Sequence, residues 1–252
     1  MSDTKIETRG PVLEIRLDRP KKKNALTIAM YSAMVEALER AAKDPAIRAV
    51  TFTAEGETFT AGNDVMDFMA GLGDGEPPVL RFIRLLAKYE KPLVAAVNGA
   101  AVGLGTTMLL HCDLVYATEN ARLLAPFVSL GLVPEAASSL LLPRRVGPAV
   151  ASEMLLLGTP MSATRAKEVG LVNAIVPANE LRETALERAA ALAKQPPRAL
   201  QLSRALLRGD PAPTLARLDE EAKLFAECLA GAEAREAFTA FLEKRAPDFS
   251  KL

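Results

Sequence analysis

Three short segments of this chain combine glycine or proline with groups that can act on a substrate: Phe59-Thr60-Ala61-Gly62-Asn63-Asp64, Asn98-Gly99-Ala100-Ala101-Val102-Gly103-Leu104-Gly105, and Gly131-Leu132-Val133-Pro134-Glu135-Ala136-Ala137-Ser138-Ser139. The first two follow strand-like stretches, and each can turn sharply into a helix. Backbone N–H groups at a helix start lack intrahelical partners and favour negative charge, so two such turns brought together can hold one developing oxyanion. On spacing alone the glycines serve equally well as makers of tight turns. The third segment offers a carboxylate. Glu135 either complements a helix dipole, a role worth about 0.3–1 kcal/mol, or acts as a base whose pKa is raised by apolar surroundings. The pattern does not choose between them.

Other catalytic constellations find no support. His111, the only histidine, lies in Met108-Leu109-Leu110-His111-Cys112, and no Gly-x-Ser-x-Gly turn accompanies it, which favours a satisfied core or helix-end histidine over a nucleophile's base. Two cysteines and one histidine, with only His111 and Cys112 adjacent, do not make a zinc site, and no metal is expected. The Gly99 to Thr107 stretch has no lysine before its threonine and is not Gly-x-Gly-x-x-Gly, so neither a nucleoside triphosphate nor a dinucleotide is implied.

The elements that must position these groups read as a layered α/β core. Leu13, Ile15 and Leu17 alternate with Glu14 and Arg16 as in a half-buried strand that Asp18-Arg19-Pro20 ends. From Thr27, a plausible N-cap, Tyr31, Met34, Val35, Leu38 and Ala42 fall on one helix face, and Asp44-Pro45 stops the helix. Ala49 to Thr53, Pro92 to Val97 and Leu114 to Ala117 read as further strands, the continuous apolar run of the second implying cover on both faces. Helical crossovers between them imply parallel pairing, without a tidy doubly wound repeat. The stretch between Met69 and Pro78 reads as a mobile loop, and Ser162 to Lys167 as a short capped helix, ended at Gly170 and followed by a strand at Ala174-Ile175-Val176. Residues 198 to 245 are helical by pattern, broken at Gly209-Asp210-Pro211 and Gly231, and must pack on the body or on another subunit.

Composition agrees with an ordinary globular protein. The 252 residues are 50% hydrophobic and 25% charged, and 31 Lys plus Arg balance 31 Asp plus Glu. No global field favours nucleic acid or a membrane surface, and any anionic partner must be held locally. Cys112 and Cys228 stand far apart among apolar neighbours, the context of reduced thiols. No apolar run reaches the roughly 20 residues that span a bilayer, and the polar start lacks a leader, so an intracellular protein is expected.

The segments in their order resemble the crotonase, or enoyl-CoA hydratase/isomerase, superfamily. Asp18-Arg19-Pro20-Lys21-Lys22-Lys23-Asn24-Ala25-Leu26, Phe59 to Asp64, Ala96 through Gly105, Cys112-Asp113, Val133-Pro134-Glu135, Ala166 to Val172 and Ala240-Phe241-Leu242-Glu243-Lys244-Arg245 carry the resemblance nearly end to end. It implies a spiral of ββα units over residues 1–195, a helical C-terminal oligomerisation region over 196–252, a homotrimer or dimer of trimers, and an acyl-CoA thioester substrate. Coenzyme A is then part of the substrate, and no separate cofactor is expected. The same resemblance makes the backbone N–H groups of Ala61 and Leu104 the oxyanion donors. CoA contacts fall to Lys22, Lys23 and Ala25, to Ala61, Gly62, Asn63 and Asp64, and to Phe241 and Lys244 of a neighbouring helix. For each lysine a solvated basic turn is an equal reading. Met66, Phe68, Met69 and Phe127 are candidates for the acyl pocket, or plain core.

Hydratases of this superfamily carry two glutamates. Thr107 and Phe127 stand at those positions here, whereas Glu135 falls where the Δ3,Δ2-enoyl-CoA isomerases have their single glutamate. The resemblance therefore implies an isomerase of fatty-acid metabolism that uses Glu135 as its base. An enoyl-CoA hydratase and a non-catalytic acyl-CoA-binding paralogue are the alternatives. The final Ser250-Lys251-Leu252 would address a eukaryotic peroxisome, while the Ala- and Arg-rich usage favours a bacterial cytoplasm.

Overall fold

The structure is a computed structural model that describes residues 3–69, 75–250 and 252, with the side chains of residues 68 and 69 outside that description. Most of the expected loop from Met69 to Pro78, the candidates Phe68 and Met69 as side chains, and Lys251 therefore lie outside what is described. The chain opens with β1 (Thr4–Arg9), which turns at Gly10 and pairs antiparallel with β2 (Val12–Leu17). Then follow α1 (Ile28–Lys43), β3 (Ala49–Ala54), α2 (Val65–Met69), α3 (Pro78–Lys88), β4 (Leu93–Val97), β5 (Ala100–Val102), α4 (Leu104–Thr107), β6 (Leu114–Ala117) and β7 (Arg122–Leu124). The second half is mainly helical: α5 (Ser138–Val146), α6 (Pro148–Leu155), β8 (Met161–Ser162), α7 (Ala163–Glu168), β9 (Ala174–Ile175), α8 (Leu181–Ala193), α9 (Pro197–Arg208), α10 (Ala212–Leu229) and α11 (Ala232–Glu243).

Two sheets result. The larger runs β1-β2-β3-β4-β6-β9, parallel from β2 onward, and the smaller runs β5-β7-β8. Thr60 extends the smaller sheet through a parallel bridge to Ala101. Three successive passes of the chain thus repeat one unit: a strand in the large sheet (β3, β4, β6), a short strand in the small one (Thr60, β5, β7), then a helix. This is the ββα spiral. The three chemically suggestive segments all lie where the chain leaves the small sheet for a helix, the carboxyl end of parallel strands, where α/β sheets offer ligand crevices.

Local signals hold where the sequence placed them. Thr27 Oγ1 accepts the Met30 N–H at 3.2 Å to start α1, and Ser162 Oγ accepts the Arg165 N–H at 3.2 Å to start α7. One face of the large sheet packs on α1 and α3, where Phe52 meets Phe82 edge-on at 6.2 Å between centroids. The other face is covered by α8, through Leu181, Ala185, Leu186 and Ala189 against Val12, Ala49, Val94 and Ala96.

That second cover corrects the expectation of a half-buried β2. Glu14 points into the layer between β2 and α8 and is fully buried, so strand alternation there separates two interiors rather than core from solvent. Burial would raise its pKa, but two hydrogen bonds from Arg182 (2.7 and 2.8 Å) and one from Thr53 (2.8 Å) outweigh this and hold it below its ordinary value. Polar β1, not foreseen from pattern, forms because β2 offers it a complete edge, Thr4 to Arg9 pairing residue by residue with Leu17 to Val12.

The C-terminal helices pack on the body. Arg204 of α9 grips Asp113 with Nε at 2.8–2.9 Å from both carboxylate oxygens, and α10 sends Glu221 into the start of α5. Leu206 and Leu207 of α9 remain exposed. No helix among the described residues is long and apolar enough to cross a membrane.

Candidate functional site

The first two turns are pressed together at two points. A Cβ on Gly62 would come within 3.0 Å of the Val102 carbonyl oxygen, and one on Gly105 within 2.3 Å of Thr60 Cγ2. Thr60 cannot swing its methyl away freely, because its hydroxyl donates to Asn24 O (2.7 Å) and accepts from Gly62 N (3.1 Å). Glycine is needed at both positions for close approach, which answers the alternative that they merely turn the chain.

Hydrogen bonding decides which N–H groups are available. The Ala61 N–H, expected as a donor to substrate, is donated to Lys23 O at 2.9 Å. The Gly62 N–H goes to Thr60 Oγ1, and the Asp64 N–H to Leu26 O at 2.9 Å. Asn63 N–H finds no acceptor among the described residues. The first turn therefore offers Asn63, not Ala61: the parallel bridge between Leu26 and Asn63 uses the groups on either side and leaves this one facing away. In the second turn Gly103, at φ +56°, swings the chain into α4. Thr106 and Thr107 N–H return to Gly103 O, while the leading N–H groups of Leu104 and Gly105 take no acceptor among the described residues.

Glu135 stands beside the second turn. Thr107, one helical turn after Leu104 and so on the same face of α4, donates its hydroxyl to Glu135 Oε1 at 3.2 Å. On the other side Tyr31, packed against Phe82 with ring centroids 5.8 Å apart, donates its hydroxyl to Asn63 Oδ1. The pKa of Tyr31 is pushed well up, first by burial and then by the Glu135 charge. Glu135 is only 9% exposed. Burial pushes its carboxyl up to about 8, the Thr107 hydrogen bond opposes this, and the charge of Glu221 adds to it.

The two readings of Glu135 are now separable. Helix α5 starts three residues later, at Ser138, and the carboxylate at its N-terminus is Glu221 of α10, which accepts from Ala137 N at 2.6 Å, Ser139 N at 3.0 Å and Ser139 Oγ at 2.6 Å. Glu135 is therefore not the cap. His111 is the satisfied core histidine expected: Nε2 donates to Ala136 O at 2.9 Å, and burial lowers its pKa to about 4, so the ring is neutral at physiological pH.

The remaining candidates are dispersed. Lys22 and Lys23 are exposed and Ala25 half-buried on the turn before α1. Asp64 is held by Arg19 at 2.6 Å, which keeps its carboxyl below the ordinary value. Phe241 and Lys244 are exposed at the end of α11, which packs on the Val128–Leu130 turn and on α10. Met66 is 70% exposed, and Phe127 is buried. A small cavity of about 20 Å³ opens between Leu26, Tyr31, Asn63 and Val79, room for one small group. A cleft of about 720 Å³ lies between α3, α5 and α9, and neither Asn63, Leu104 nor Glu135 lines it. Tyr31 and Glu221 were not legible as site residues. The one signal for Glu221 is a charge at helical spacing in the stripe Leu218, Glu221, Phe225, Cys228.

Comparison with known proteins agrees with this architecture. A family model described as enoyl-CoA hydratase/isomerase matches residues 7–251. The 2,3-dehydroadipyl-CoA hydratase of Escherichia coli is 38% identical over 99% of this chain and 99% of its own length. Enoyl-CoA delta isomerase 2 of Rattus norvegicus is 37% identical over 86% of this chain and 57% of its own length. The crystal structure of an enoyl-CoA hydratase/isomerase from Pseudoalteromonas atlantica superposes with a TM-score of 0.95 at 44% identity, covering 98% of this chain and all of that one. The spiral of ββα units, the paired glycine turns and the extent of these matches together establish that the chain belongs to the enoyl-CoA hydratase/isomerase family of the crotonase superfamily.

Proposed function

We propose that this protein is an acyl-CoA enzyme that moves the double bond of a 3-enoyl-CoA to the 2-position, with Glu135 as its single acid–base group. The observation that carries the reading is one buried carboxylate hydrogen-bonded to Thr107, on the short helix whose leading N–H groups are uncommitted; the resemblance, which sets Thr107 and Phe127 where a hydratase has its glutamates, supports it. Deprotonated Glu135 takes the proton from C2, and the C–H electron pair enters the conjugated system as a dienolate. The thioester oxygen gains negative charge, held by the N–H groups of Asn63 and Leu104. Glu135 then returns its proton to C4, and the double bond now lies between C2 and C3. No water is consumed and no second base is needed. A carboxyl near pH 8 suits both halves, since its proton affinity is close to balanced at working pH. Exposed Lys22 and Lys23 suit the phosphates of the CoA nucleotide as point charges.

A hydratase is the second reading, favoured by the 38% identity to an enzyme named as one. The test gives purified protein a 3-enoyl-CoA and, separately, a 2-enoyl-CoA, following the conjugated thioester absorbance. Appearance of absorbance from the first, lost in Glu135→Gln while acyl-CoA binding persists, is expected. Below pH 8, kcat/KM should fall about tenfold per pH unit as Glu135 is protonated. Loss of absorbance from the 2-enoyl substrate at comparable speed would make it a hydratase, and full activity in Glu135→Gln would remove the assigned base.

A further inference from the structure

The peptide linking Ala136 to Ala137 is clamped from both sides. Its carbonyl accepts from His111 Nε2 at 2.9 Å, and its N–H donates to Glu221 Oε2 at 2.6 Å. The clamp acts where the backbone is least content: Ala136 and Ala137 both adopt left-handed φ, +60° and +55°, without being glycine. Such residues are strained and persist only where their surroundings over-determine them. No side chain of α5 caps its own start. Glu221, fixed on α10 and 4% exposed, does so from 84 residues away. The residue immediately before the strained pair is Glu135.

We propose that Glu221 is a positioning residue for Glu135: by holding the Ala137 and Ser139 N–H groups it fixes the left-handed pair that aims the Glu135 carboxylate at Thr107 of α4, and it sets a second carboxylate against the backbone two residues from Glu135. The proposal rests on the assignment of Glu135 as the base. Charge tuning follows from the groups around the two acids. Glu135 accepts from Thr107 of α4 and interacts electrostatically with the Tyr31 hydroxyl of α1, neither charged at neutral pH, and with Glu221 of α10. Glu221 is held by Ser139 and Ala137, with Arg217 of its own helix donating to Ser139 Oγ at 3.0 Å as the nearby cation. His111 is neutral. Burial is the main cause of the raised Glu135 carboxyl, and the Glu221 carboxylate, itself pushed up by burial, adds to it.

The test compares wild type with Glu221→Gln and Glu221→Asp on whichever enoyl-CoA the wild type converts, together with a ¹³C NMR titration of glutamate carboxyls in which Glu135→Gln identifies the Glu135 signal. In Glu221→Gln, kcat is expected to fall by about tenfold or more from misaimed chemistry while KM stays nearly constant. Loss of the neighbouring charge should move the acid limb of the rate profile and the NMR midpoint down by about half a pH unit or more. A purely structural residue would lower the melting temperature and leave the limb in place. Unchanged kcat, or an unmoved limb, overturns the proposal. If Glu221→Gln does not fold, Glu221→Asp decides: it keeps the charge but withdraws the acceptor, so kcat should fall with the limb retained, and wild-type kcat there is an equal refutation. If wild type converts neither substrate, the function reading fails by itself, and the NMR midpoint of Glu135 in the variant still decides this one.

Discussion

Glu135 should make the fold less stable as pH rises, and replacing it with glutamine should relieve that cost. Its carboxyl is held near 8 against an ordinary value of 4.5. The raised value means that the folded state binds the proton more tightly than the unfolded chain. Stability is therefore fully present below about pH 4.5 and is lost as pH climbs through 8. The whole loss amounts to at most about 5 kcal/mol, each tenfold in proton affinity being about 1.4 kcal/mol. Glutamine keeps the shape and never ionises, so Glu135→Gln should match wild type near pH 5 and exceed it near pH 9. In a domain of this size about 1 kcal/mol moves Tm by 2–4 °C, so the gap at the alkaline end should be roughly 10 °C. Thermal unfolding of both proteins from pH 5 to 9 reads this directly and needs no substrate. A constant difference across that range would refute the argument, because it would mean that Glu135 ionises in the fold as readily as in the open chain.

Two further perturbations test the scaffold. Gly105→Ala places a Cβ at 2.3 Å from Thr60 Cγ2 and should cost about 1–3 kcal/mol by overpacking. It should also lower kcat by displacing the Leu104 N–H, and adding Thr60→Ser, which deletes the methyl but keeps the hydroxyl, should restore both, so failure of that rescue in enzyme assays and melting curves would count against close approach of the turns. Asn24→Ala removes three hydrogen bonds, from Arg19 N (2.8 Å) and to the Glu55 (2.9 Å) and Thr58 (2.7 Å) carbonyls. It also puts alanine at φ +52°. Denaturant titration should show a loss of about 3–5 kcal/mol, and a loss below 1 kcal/mol would show that these part-buried carbonyls find other partners.

Much of the fold was written locally. Thr27, Asp44-Pro45, Ser162, Gly209-Asp210-Pro211 and Gly231 bound helices through contacts within a few residues, so their effect survives without knowledge of the rest. β1 escaped notice because its partner, not its own pattern, makes it a strand. Glu14 read as a solvent-facing residue because alternation records two faces but not what covers the second, and α8 arrives from 168 residues away.

The site divides in the same way. Sequence pattern singled out the glycine turns and marked Glu135 as a carboxylate of two possible roles, since glycine and carboxylate are residue types few neighbours can supply, and the resemblance added Leu104, whose backbone N–H no residue type encodes. The tertiary structure alone decided that the free N–H of the first turn is Asn63 and not Ala61, because the Lys23 carbonyl that occupies Ala61 comes from a separate turn. It also decided that Glu135 is not a helix cap, because Glu221 fills that place. Hydrogen bonds between distant segments and the desolvation of a carboxylate depend on what surrounds a group in space, and no local spacing encodes them.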